Sequence, residues 1–340
     1  MYCGNCFRDN ALVAALREAG HEVTMIPLYL PFTLDEENQA GDTPIFYNGV
    51  NVYLEQKSAL YRAAPRWLHR VVGSDTMLGW AASQVGKTRA EEVGDLTISM
   101  LRGEEGHQAR ELEELIGWLK TQPKPHVISL SNSLLLGLAH RLKEAIGAPV
   151  VCLLQNEAPY IDSMPEEVRE EVWQIMAERA QEIDQFIAPS AFYAGLMRDK
   201  LNLTAERVQV IHNGINHDGY SAERVAPNPP VVGFFSRMCK DKGLDTLVDA
   251  FIKMKQDNHI PQLRLKIGGG CGPGDEPLVG RLRERLQAKA LLSDVEFHPN
   301  LNREEKQAFL KSLSVLSLSL IHISEPTRLL SIGYGGVCVE

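Results

Sequence analysis

The segment from Val231 to Phe251 constrains the fold of this chain more strongly than any other stretch. It begins with the short β-branched and aromatic run VVGFF, passes through a loop with two cations, and ends in apolar residues at helical spacing. The run is typical of a strand that is buried on both faces of a parallel sheet. The apolar positions that predict the following helix are Leu244, Leu247, Val248 and Phe251. A strand that leads directly into an amphipathic helix indicates an α/β fold.

Arg237 and Lys242 are the two cations of this loop, and they lie where the predicted strand ends and the predicted helix begins. Open α/β sheets bind their ligands beyond the carboxyl ends of their strands. A guanidinium is a planar donor with two prongs and an ammonium is a mobile point charge, so both suit a phosphate group. The alternative is that both are ordinary loop charges in contact with water.

Strand and helix signals alternate regularly from Val127 to Leu313. This rhythm predicts doubly wound parallel sheets with right-handed crossovers. Ser190, which follows one of the predicted strands, is expected to cap the next helix. The polar, proline-rich stretch SAERVAPNPP at residues 221–230 marks a domain boundary. We therefore predict an N-terminal domain over residues 1–222, a linker over 223–230 and a C-terminal domain over 231–317.

The composition argues against several classes of protein. Of the 340 residues, 44% are hydrophobic and 23% are charged, which is ordinary for a globular protein in water. The net charge of −9 argues against nucleic-acid binding through a broad basic surface. The sequence contains no apolar run of membrane length, and Met1 is not followed by a signal sequence, so a cytoplasmic location is expected.

The six cysteines give little support to a metal or redox site. Cys3 and Cys6 form a lone Cys-x-x-Cys pair, and no second pair follows at the spacing of zinc ligands. A redox role would need a preceding strand and an electropositive helix start, but only Met1 and Tyr2 precede the pair. Redox use stays a rival hypothesis, and no residue is assigned to a metal.

The N-terminal third of the sequence is predicted to be mostly helical. A helix is expected over residues 6–19 with Gly20 as its stop, followed by a strand over His21–Leu28. Asn48 and Gly49 lie between apolar runs and predict a hairpin. Residues 57–122 are expected to be largely helical, including a long charged helix from Glu104 to Lys120.

An aromatic and partly basic stripe lies within this helical region. Its members are Tyr61, Arg62, Arg66, Trp67, His69 and Arg70. Such a stripe could contact an acceptor or, peripherally, a membrane surface. We favour the alternative, in which the aromatic residues are core and the charged ones form a solvated rim.

The loop with the two cations resembles the donor-binding signature of family-four glycosyltransferases of the GT-B type. The matching residues are Ser236-Arg237 at the strand end, Lys242-Gly243 after the same spacing, and a helix that opens Leu-Asp-x-Leu-x-x-Ala-Phe. Residues 1–12 and the turn at 213–216 are also similar to family segments, although Asn216 replaces the family's Asp. The resemblance implies two Rossmann-like domains facing a cleft. It also implies transfer of a sugar from a nucleotide-diphosphate sugar to an acceptor hydroxyl, with retention of configuration.

The resemblance assigns roles to individual residues. Arg237 and Lys242 would neutralise the diphosphate, and the absence of any Asp-x-Asp disfavours the metal-dependent type. Glu157 would orient the acceptor hydroxyl or act as a weak base, with a surface salt bridge as its alternative. The implied donor-binding residues are Gly4, Ser236, Gly268, Gly269, Gly270, Asn300 and Leu301. The implied acceptor-side residues are Asn5, Ser131, Asn132, Gln155, Asn156 and Asn213.

No cofactor is implied, because the nucleotide sugar is itself the donor substrate. Ser131 and Asn132 stand where many family members carry a histidine, so that role has no matching residue here. The acceptor is left open between a sugar, a lipid-linked molecule and a small molecule. Two other functions also stay open: a GT-B-like nucleotide-sugar epimerase, and a non-catalytic module that binds nucleotide sugars.

The resemblance covers the chain to about Ser317. The next residues, LSLIHISEPTR at 318–328, are the translation of a transposase adapter used in sequencing libraries, so we interpret residues 318–340 as a non-native tail. The opening strand of the N-terminal domain and the family's pair of glutamates eight residues apart are missing from the sequence. A donor cleft needs both, and the chain as written is therefore expected to be inactive or poorly folded.

Overall fold

The computed structural model describes residues 4–28, 37–47, 52, 55–56, 90–214, 218–220, 227–317, 333–334 and 337–338. These residues divide into two compact units, an N-terminal unit mainly within residues 3–215 and a C-terminal unit mainly within 216–340. Each unit is an α/β structure built on its own parallel sheet of four strands. The predicted fold class, with two such domains, is confirmed.

The N-terminal unit is a run of helices followed by alternating strands and helices. Its helices are α1 (Gly4–Glu18), α2 (Ala90–Arg102), α3 (Ala109–Leu119), α4 (Ala139–Ile146), α5 (Glu157–Asp162), α6 (Glu166–Arg179) and α7 (Ala191–Leu201). Its strands are β1 (Ile128–Leu130), β2 (Val150–Leu153), β3 (Gln185–Ala188) and β4 (Val208–Val210). The strands lie in the order β1-β2-β3-β4, and each pairs in parallel with the next. All four carboxyl ends therefore lie at one edge of the sheet.

In the core of the N-terminal unit, the end of α2 packs closely against the 3-10 segment Ser133–Leu138, which follows β1. Two glycines make the closest approach possible: a Cβ on Gly103, whose φ is +60°, would lie 2.0 Å from the Gly137 carbonyl oxygen. A Cβ on Gly137 would in turn lie 2.3 Å from the Met100 carbonyl oxygen. The surrounding core is apolar and includes Leu101, Leu112, Ile116, Leu136, Leu142, Ile161, Met176 and Phe186.

The C-terminal unit repeats the alternation with longer strands. It contains β5 (Val231–Phe235), α8 (Leu244–Gln256), β6 (Arg264–Gly269), α9 (Glu276–Ala288), β7 (Val295–Pro299), α10 (Arg303–Lys311) and β8 (Val315–Leu316). The strand order is β7-β6-β5-β8, and every pair is parallel. Because β6 and β7 lie on one side of β5 and β8 lies on the other, the direction of winding reverses at β5. Such reversal points are where open α/β sheets bind ligands.

The predicted burial of the segment 231–251 is confirmed. β5 is a central strand, and Phe234 is 2% exposed. Leu244, Val248 and Phe251 on α8 are buried with it in an apolar cluster, while Asp249 is exposed. The apolar residues of α8 thus lie on the face of the helix that packs with β5, and the polar residue Asp249 lies in water.

The structure corrects two of the expected elements. Residues 21–28 form no strand. The Tyr47 N–H donates to the Leu28 carbonyl at 2.8 Å, and the Arg17 side chain donates to the Val23 carbonyl at 2.7 and 3.0 Å. A β-strand requires a series of backbone hydrogen bonds to a neighbouring strand, and within the described part of the chain residues 21–28 have no such series. The helix expected over 104–120 is instead a short 3-10 turn, Gly103–Glu105, followed by α3. Gly103 packs closely against the backbone of Gly137, and Gly106 packs closely against the backbone of Ser99. These contacts end α2 at Arg102.

Other expectations had different outcomes. Ser190 caps α7 as predicted, because its Oγ accepts the Tyr193 N–H at 3.2 Å. The Asn48–Gly49 hairpin, the aromatic stripe at residues 61–70, Cys3 and most of the tail after Ser317 lie outside the described residues. Within the tail, the described strands β9 (Gly333–Tyr334) and β10 (Val337–Cys338) pair antiparallel. No helix in the described part of the chain is long and apolar enough to span a membrane.

Candidate active site

The loop after β5 is fixed by backbone bonds to the end of β6. The Ser236 N–H donates to the Gly268 carbonyl at 3.2 Å, and the Met238 N–H donates to the Gly270 carbonyl at 2.8 Å. The loop then closes in a 3-10 turn over Lys240–Lys242, and Gly243 follows with a φ of +70° before α8 begins. Two neighbouring strand ends thus hold the loop that carries both predicted cations.

Arg237 has an exposed guanidinium whose Nε is bonded to a buried carboxylate. Its side chain is 66% exposed, and its Nε donates to both carboxylate oxygens of Asp275, at 3.0 and 3.2 Å. The Asp275 side chain is only 7% exposed and also accepts the Gly272 N–H at 3.1 Å. Burial acts to raise the pKa of Asp275, but the bonds from Arg237 and Gly272 outweigh it and lower the pKa below its ordinary value.

Lys242 lies at the end of the same loop and is exposed. Within the described residues no ion pair involves its side chain, in contrast to the Arg237–Asp275 pair. The structure therefore places both predicted cations in one loop at the carboxyl end of β5. An exposed ammonium there is available to an anion that approaches this edge of the sheet.

The glycines at the end of β6 permit close contact between backbone segments. Gly269 has a φ of +125°, and a Cβ there would lie 1.9 Å from the Ser236 carbonyl oxygen. Gly268 is buried, and a Cβ there would contact the rings of Phe235 and Phe309 at 3.0 Å. The close approach that Gly269 permits in this structure is to Ser236 of the neighbouring loop. Its predicted role towards a ligand, like that of Gly268 and Gly270, stays a prediction.

Asn300 joins the end of β7 to the glycine loop. Its N–H donates to the Gly269 carbonyl at 2.8 Å, and its side-chain amide bonds the Cys271 N–H at 2.9 Å and the Cys271 carbonyl at 3.0 Å. Asn300 adopts a φ of +56°, a left-handed conformation that Asn tolerates better than most residues. Leu301 is half-buried against an apolar cluster that includes Phe309.

A cavity of about 340 Å³ opens beside these strand ends. Its lining includes Met238 from the β5 loop, Cys271 from the β6 loop, and Phe297, Pro299 and Asn300 from β7 and the residue that follows it. Residues of α9 complete the lining, and the guanidinium of Arg283 on this helix stacks over the Phe297 ring at 4.3 Å from the ring centroid. The cavity thus combines an aromatic wall with polar groups.

In the N-terminal unit, Glu157 binds three strand-end and helix donors at once. Its Oε1 accepts the Ser133 N–H at 2.8 Å, and its Oε2 accepts the Gln155 N–H at 2.9 Å and the Tyr193 hydroxyl at 2.8 Å. Glu157 is 5% exposed. Burial and the Glu157 charge raise the pKa of Tyr193 above its ordinary value, so this hydroxyl stays protonated as a donor. Both carboxylate oxygens therefore have donors from the protein itself.

The predicted acceptor-side residues divide into a connected group and an exposed group. Gln155 Nε2 donates to the Ser131 carbonyl at 3.4 Å, and the Asn132 side chain accepts the Leu134 N–H at 3.0 Å. Asn156 and Asn213 are exposed. Gly4 and Asn5 lie in the first turn of α1, and the side chain of Asn5 is outside the described part.

Three residues in these networks were missed by reasoning from the sequence. They are Asp275, Tyr193 and Arg8, whose Nη2 donates to the Ser131 carbonyl at 3.3 Å and which forms an ion pair with Asp9. Burial raises the pKa of Asp9, although the Arg8 charge acts in the opposite direction. The signal for Asp275 was available, since an Asp directly before a predicted helix at a strand's carboxyl end is well placed to bond a loop. No group of three potential metal ligands occurs among the residues described.

Several solved structures resemble this chain at low identity. Anabaena Alr3699/HepE, in complex with UDP and glucose, is 18% identical over 64% of this chain and 58% of its own, with a TM-score of 0.49. The sucrose-phosphate synthase of Thermosynechococcus elongatus is 18% identical over 63% of this chain and 58% of its own, with a TM-score of 0.49. A glycosyltransferase from Rickettsia africae is 15% identical over 60% and 54%, with a TM-score of 0.46. The chain thus spans less than two thirds of each of these proteins, and no curated protein matches it in sequence.

Two family models match the chain in succession. Residues 10–214 match the glycosyl transferase 4-like domain, and residues 221–329 match the glycosyl transferases group 1 domain. The second match runs past Ser317, where the sequence resemblance was expected to end; the adapter-derived tail stays a prediction, because residues 318–332 are outside the described part. The first match alone covers more than half of the chain, which therefore belongs to the glycosyl transferase 4-like family and continues into a glycosyl transferases group 1 domain.

Proposed function

We propose that this chain transfers a sugar from a nucleotide-diphosphate sugar to an acceptor hydroxyl, and that the loop after β5 binds the diphosphate. The observation that carries the proposal is Arg237: an exposed guanidinium, held by a buried carboxylate, at the strand where the winding of the sheet reverses. Family membership supports the same reaction. Retention of configuration and independence from metal ions are part of the proposal and rest on the family resemblance alone.

The charge of the leaving group explains why two cations are needed. As the glycosidic bond breaks, negative charge grows on the oxygens of the departing diphosphate, and a catalyst must place positive charge there. One cation at about 4 Å from a phosphate oxygen contributes roughly 4 kcal/mol at an effective dielectric constant of about 20. Arg237 and Lys242 together would supply a large part of the transition-state stabilisation.

We further propose that the nucleotide base enters the cavity beside Asn300. Met238, the residue after Arg237, lines this cavity, and the combination of the Phe297 ring with the polar Asn300 in its lining suits a flat heterocycle. Asn300, which lines the cavity, is one of the predicted donor-binding residues, and Leu301, another, follows it in the chain. The hydrogen bonds from Asn300 to Cys271 and Gly269 give this part of the lining a fixed shape.

For the acceptor side we propose a supporting role for Glu157. Because its two oxygens already accept three protein donors, it is best suited to fix the ends of β1 and β2, where Ser131, Asn132 and Gln155 lie. The acceptor is proposed to be a hydroxyl compound of a class that these residues leave open. Peripheral membrane contact and a cytoplasmic location remain proposals.

Binding is the first test, because it can be measured without knowing the acceptor. Titration calorimetry with UDP, GDP and ADP should detect one nucleoside diphosphate that binds better than its parent nucleoside. Arg237→Ala and Lys242→Ala should each weaken diphosphate binding about 10- to 100-fold, which corresponds to roughly 1.4 to 2.8 kcal/mol. Binding of the nucleoside should change little.

Lys240→Ala is the matched control, since it removes an exposed cation from the same turn. It should leave the affinity within about twofold. Equal losses in all three variants would indicate general attraction by positive charge and would contradict the assigned roles. Release of nucleoside diphosphate from the matching sugar nucleotide then separates an enzyme from a module that only binds.

A further inference from the structure

We infer that Asp275 is a positioning residue that sets the orientation of the Arg237 guanidinium towards the diphosphate, an inference that rests on the proposed function. The Nε of Arg237 lies 3.0 and 3.2 Å from the two oxygens of the Asp275 carboxylate. A bond at Nε fixes the direction of one N–H of the guanidinium group and so limits the orientations that the group can adopt. The two residues are 38 positions apart in the chain, so the contact is set by the fold.

Asp275 and Arg237 differ in burial, and this difference shows which side chain holds the other in place. Asp275 is 7% exposed and Arg237 is 66% exposed, so the carboxylate is the fixed member and the guanidinium is held out from it. An unrestrained arginine side chain loses rotamer entropy when a ligand immobilises it. A fixed carboxylate imposes part of that cost before the ligand arrives, which strengthens binding.

Asp275 also joins the two loops on which the proposed donor site depends. One of its oxygens accepts the Gly272 N–H at 3.1 Å, within the glycine loop after β6. The other loop, after β5, is attached through Arg237 and through the Met238 N–H to Gly270 carbonyl bond of 2.8 Å. The carboxylate therefore sets the position of Arg237 relative to the glycine backbone as well as its orientation.

The opposite effect is also physically reasonable and is separated by experiment. A carboxylate beside an arginine also neutralises charge, and it would then compete with the phosphate for the guanidinium. Competition predicts that removal of the carboxylate tightens binding. Positioning predicts that removal weakens it, and only when Arg237 is present.

The test is a double-mutant cycle on the full chain, with the nucleoside diphosphate that binds the wild type best among UDP, GDP and ADP. Asp275→Asn should weaken binding about 5- to 30-fold in the wild-type background and less than twofold in the Arg237→Ala background. Affinity for the parent nucleoside should not change. Asp249→Asn is the control, because it breaks an ion pair of similar length, 3.0 Å to Arg285, at an exposed position of the same unit.

Every outcome of this cycle either supports or overturns the positioning role of Asp275. Equal weakening in both backgrounds would show a general structural role, and tighter or unchanged binding by Asp275→Asn would also overturn the inference while the proposed function stands. Failure of the wild type to bind any diphosphate would overturn both. Should Asp275→Asn fail to fold, Asp275→Glu keeps the charge beside Gly272 but displaces the carboxylate by one methylene. It should weaken binding in the same Arg237-dependent way.

Discussion

Two buried carboxyl groups in the N-terminal unit share an environment that disfavours charge. Glu55 is 1% exposed and Glu111 is 3% exposed, and their side chains are hydrogen-bonded to each other. Burial, the bond to Glu111 and the charge of Glu111 raise the pKa of Glu55 to about 9, and burial raises the pKa of Glu111 as well. The guanidinium of Arg110, 3.9 Å from Glu55, does not reverse the shift. The folded chain therefore keeps a proton that the unfolded chain releases.

This proton predicts how stability depends on pH. Between the ordinary Glu pKa of 4.5 and about 9, the folded state binds more protons than the unfolded state, so the free energy of unfolding falls as pH rises through this range. The slope for one retained proton is at most about 1.4 kcal/mol per pH unit. Urea denaturation at mildly acidic and mildly alkaline pH measures it.

Glu55→Gln tests this assignment, because the amide can still donate a hydrogen bond but has no proton to lose. The variant should be more stable than the wild type at alkaline pH and should show a flatter pH profile. Glu113→Gln, at an exposed position of α3, is the control and should keep the wild-type slope. A wild-type slope in Glu55→Gln would place the retained proton on another group.

At the residue scale, sequence reasoning predicted positions better than partners. The strand-to-helix pattern placed Arg237 and Lys242 correctly in the loop after β5, since that pattern is local. The bond from Arg237 to Asp275 spans 38 residues, and the bond from Tyr193 to Glu157 spans 36, so no local spacing reports them. For the same reason Glu157, predicted to contact an acceptor or lie in a surface salt bridge, was not expected to be buried among three donors.

At the scale of elements, Gly269, the last residue of β6, allows the close contact between two strand ends. Gly269→Ala would place a methyl group 1.9 Å from the Ser236 carbonyl oxygen, at a φ of +125° that side chains rarely adopt. Neither backbone segment can move without breaking bonds to its neighbours. We expect a loss of roughly 3 kcal/mol in the free energy of unfolding, measured by urea denaturation.

Gly280→Ala is the matched control for this substitution. Gly280 lies inside α9 of the same unit, and a Cβ there would meet no atom within 4 Å. Because Ala favours the helix over Gly, this variant should be more stable by up to about 1 kcal/mol. If Gly269→Ala were as stable as Gly280→Ala, the close approach of the two strand ends would not exist in solution.

Elements with a local signal were predicted well, and elements that depend on a partner were not. Strands β2, β3, β5, β6 and β7 follow from short apolar runs, and the cap at Ser190 follows from residue type. The expected strand at 21–28 failed, because pairing is a property of the neighbour as much as of the segment itself. The expected long helix after Glu104 failed because Gly103 and Gly106 are needed for packing against other backbone segments, which periodicity does not show.

At the scale of the whole molecule, the two units have the same arrangement of hydrogen bonds at the ends of their strands. Parallel strands end at one edge, and polar residues from different strand ends bond one another there: Ser131, Gln155 and Glu157 in the N-terminal unit, and Ser236, Gly269 and Asn300 in the C-terminal unit. The two edges differ in charge. Glu157 is a buried carboxylate, whereas Arg237 and Lys242 present cations to solvent, so an anionic ligand is expected at the C-terminal unit.

This difference predicts where a nucleoside diphosphate will slow amide exchange across the chain. At a ligand concentration of about 100 times Kd, binding stabilises the liganded state by roughly 2.7 kcal/mol, which is enough to slow exchange measurably in segments that open locally. Protection should concentrate at residues 236–243, 270–276 and 299–302. In Arg237→Ala at the same ligand concentration, binding that is 10- to 100-fold weaker should reduce the stabilisation to roughly 0.4 to 1.4 kcal/mol, and the protection should fall accordingly. Protection confined to residues 131–133 and 155–157 would instead place the anion site in the N-terminal unit. In that case the cations after β5 would have no part in binding the donor.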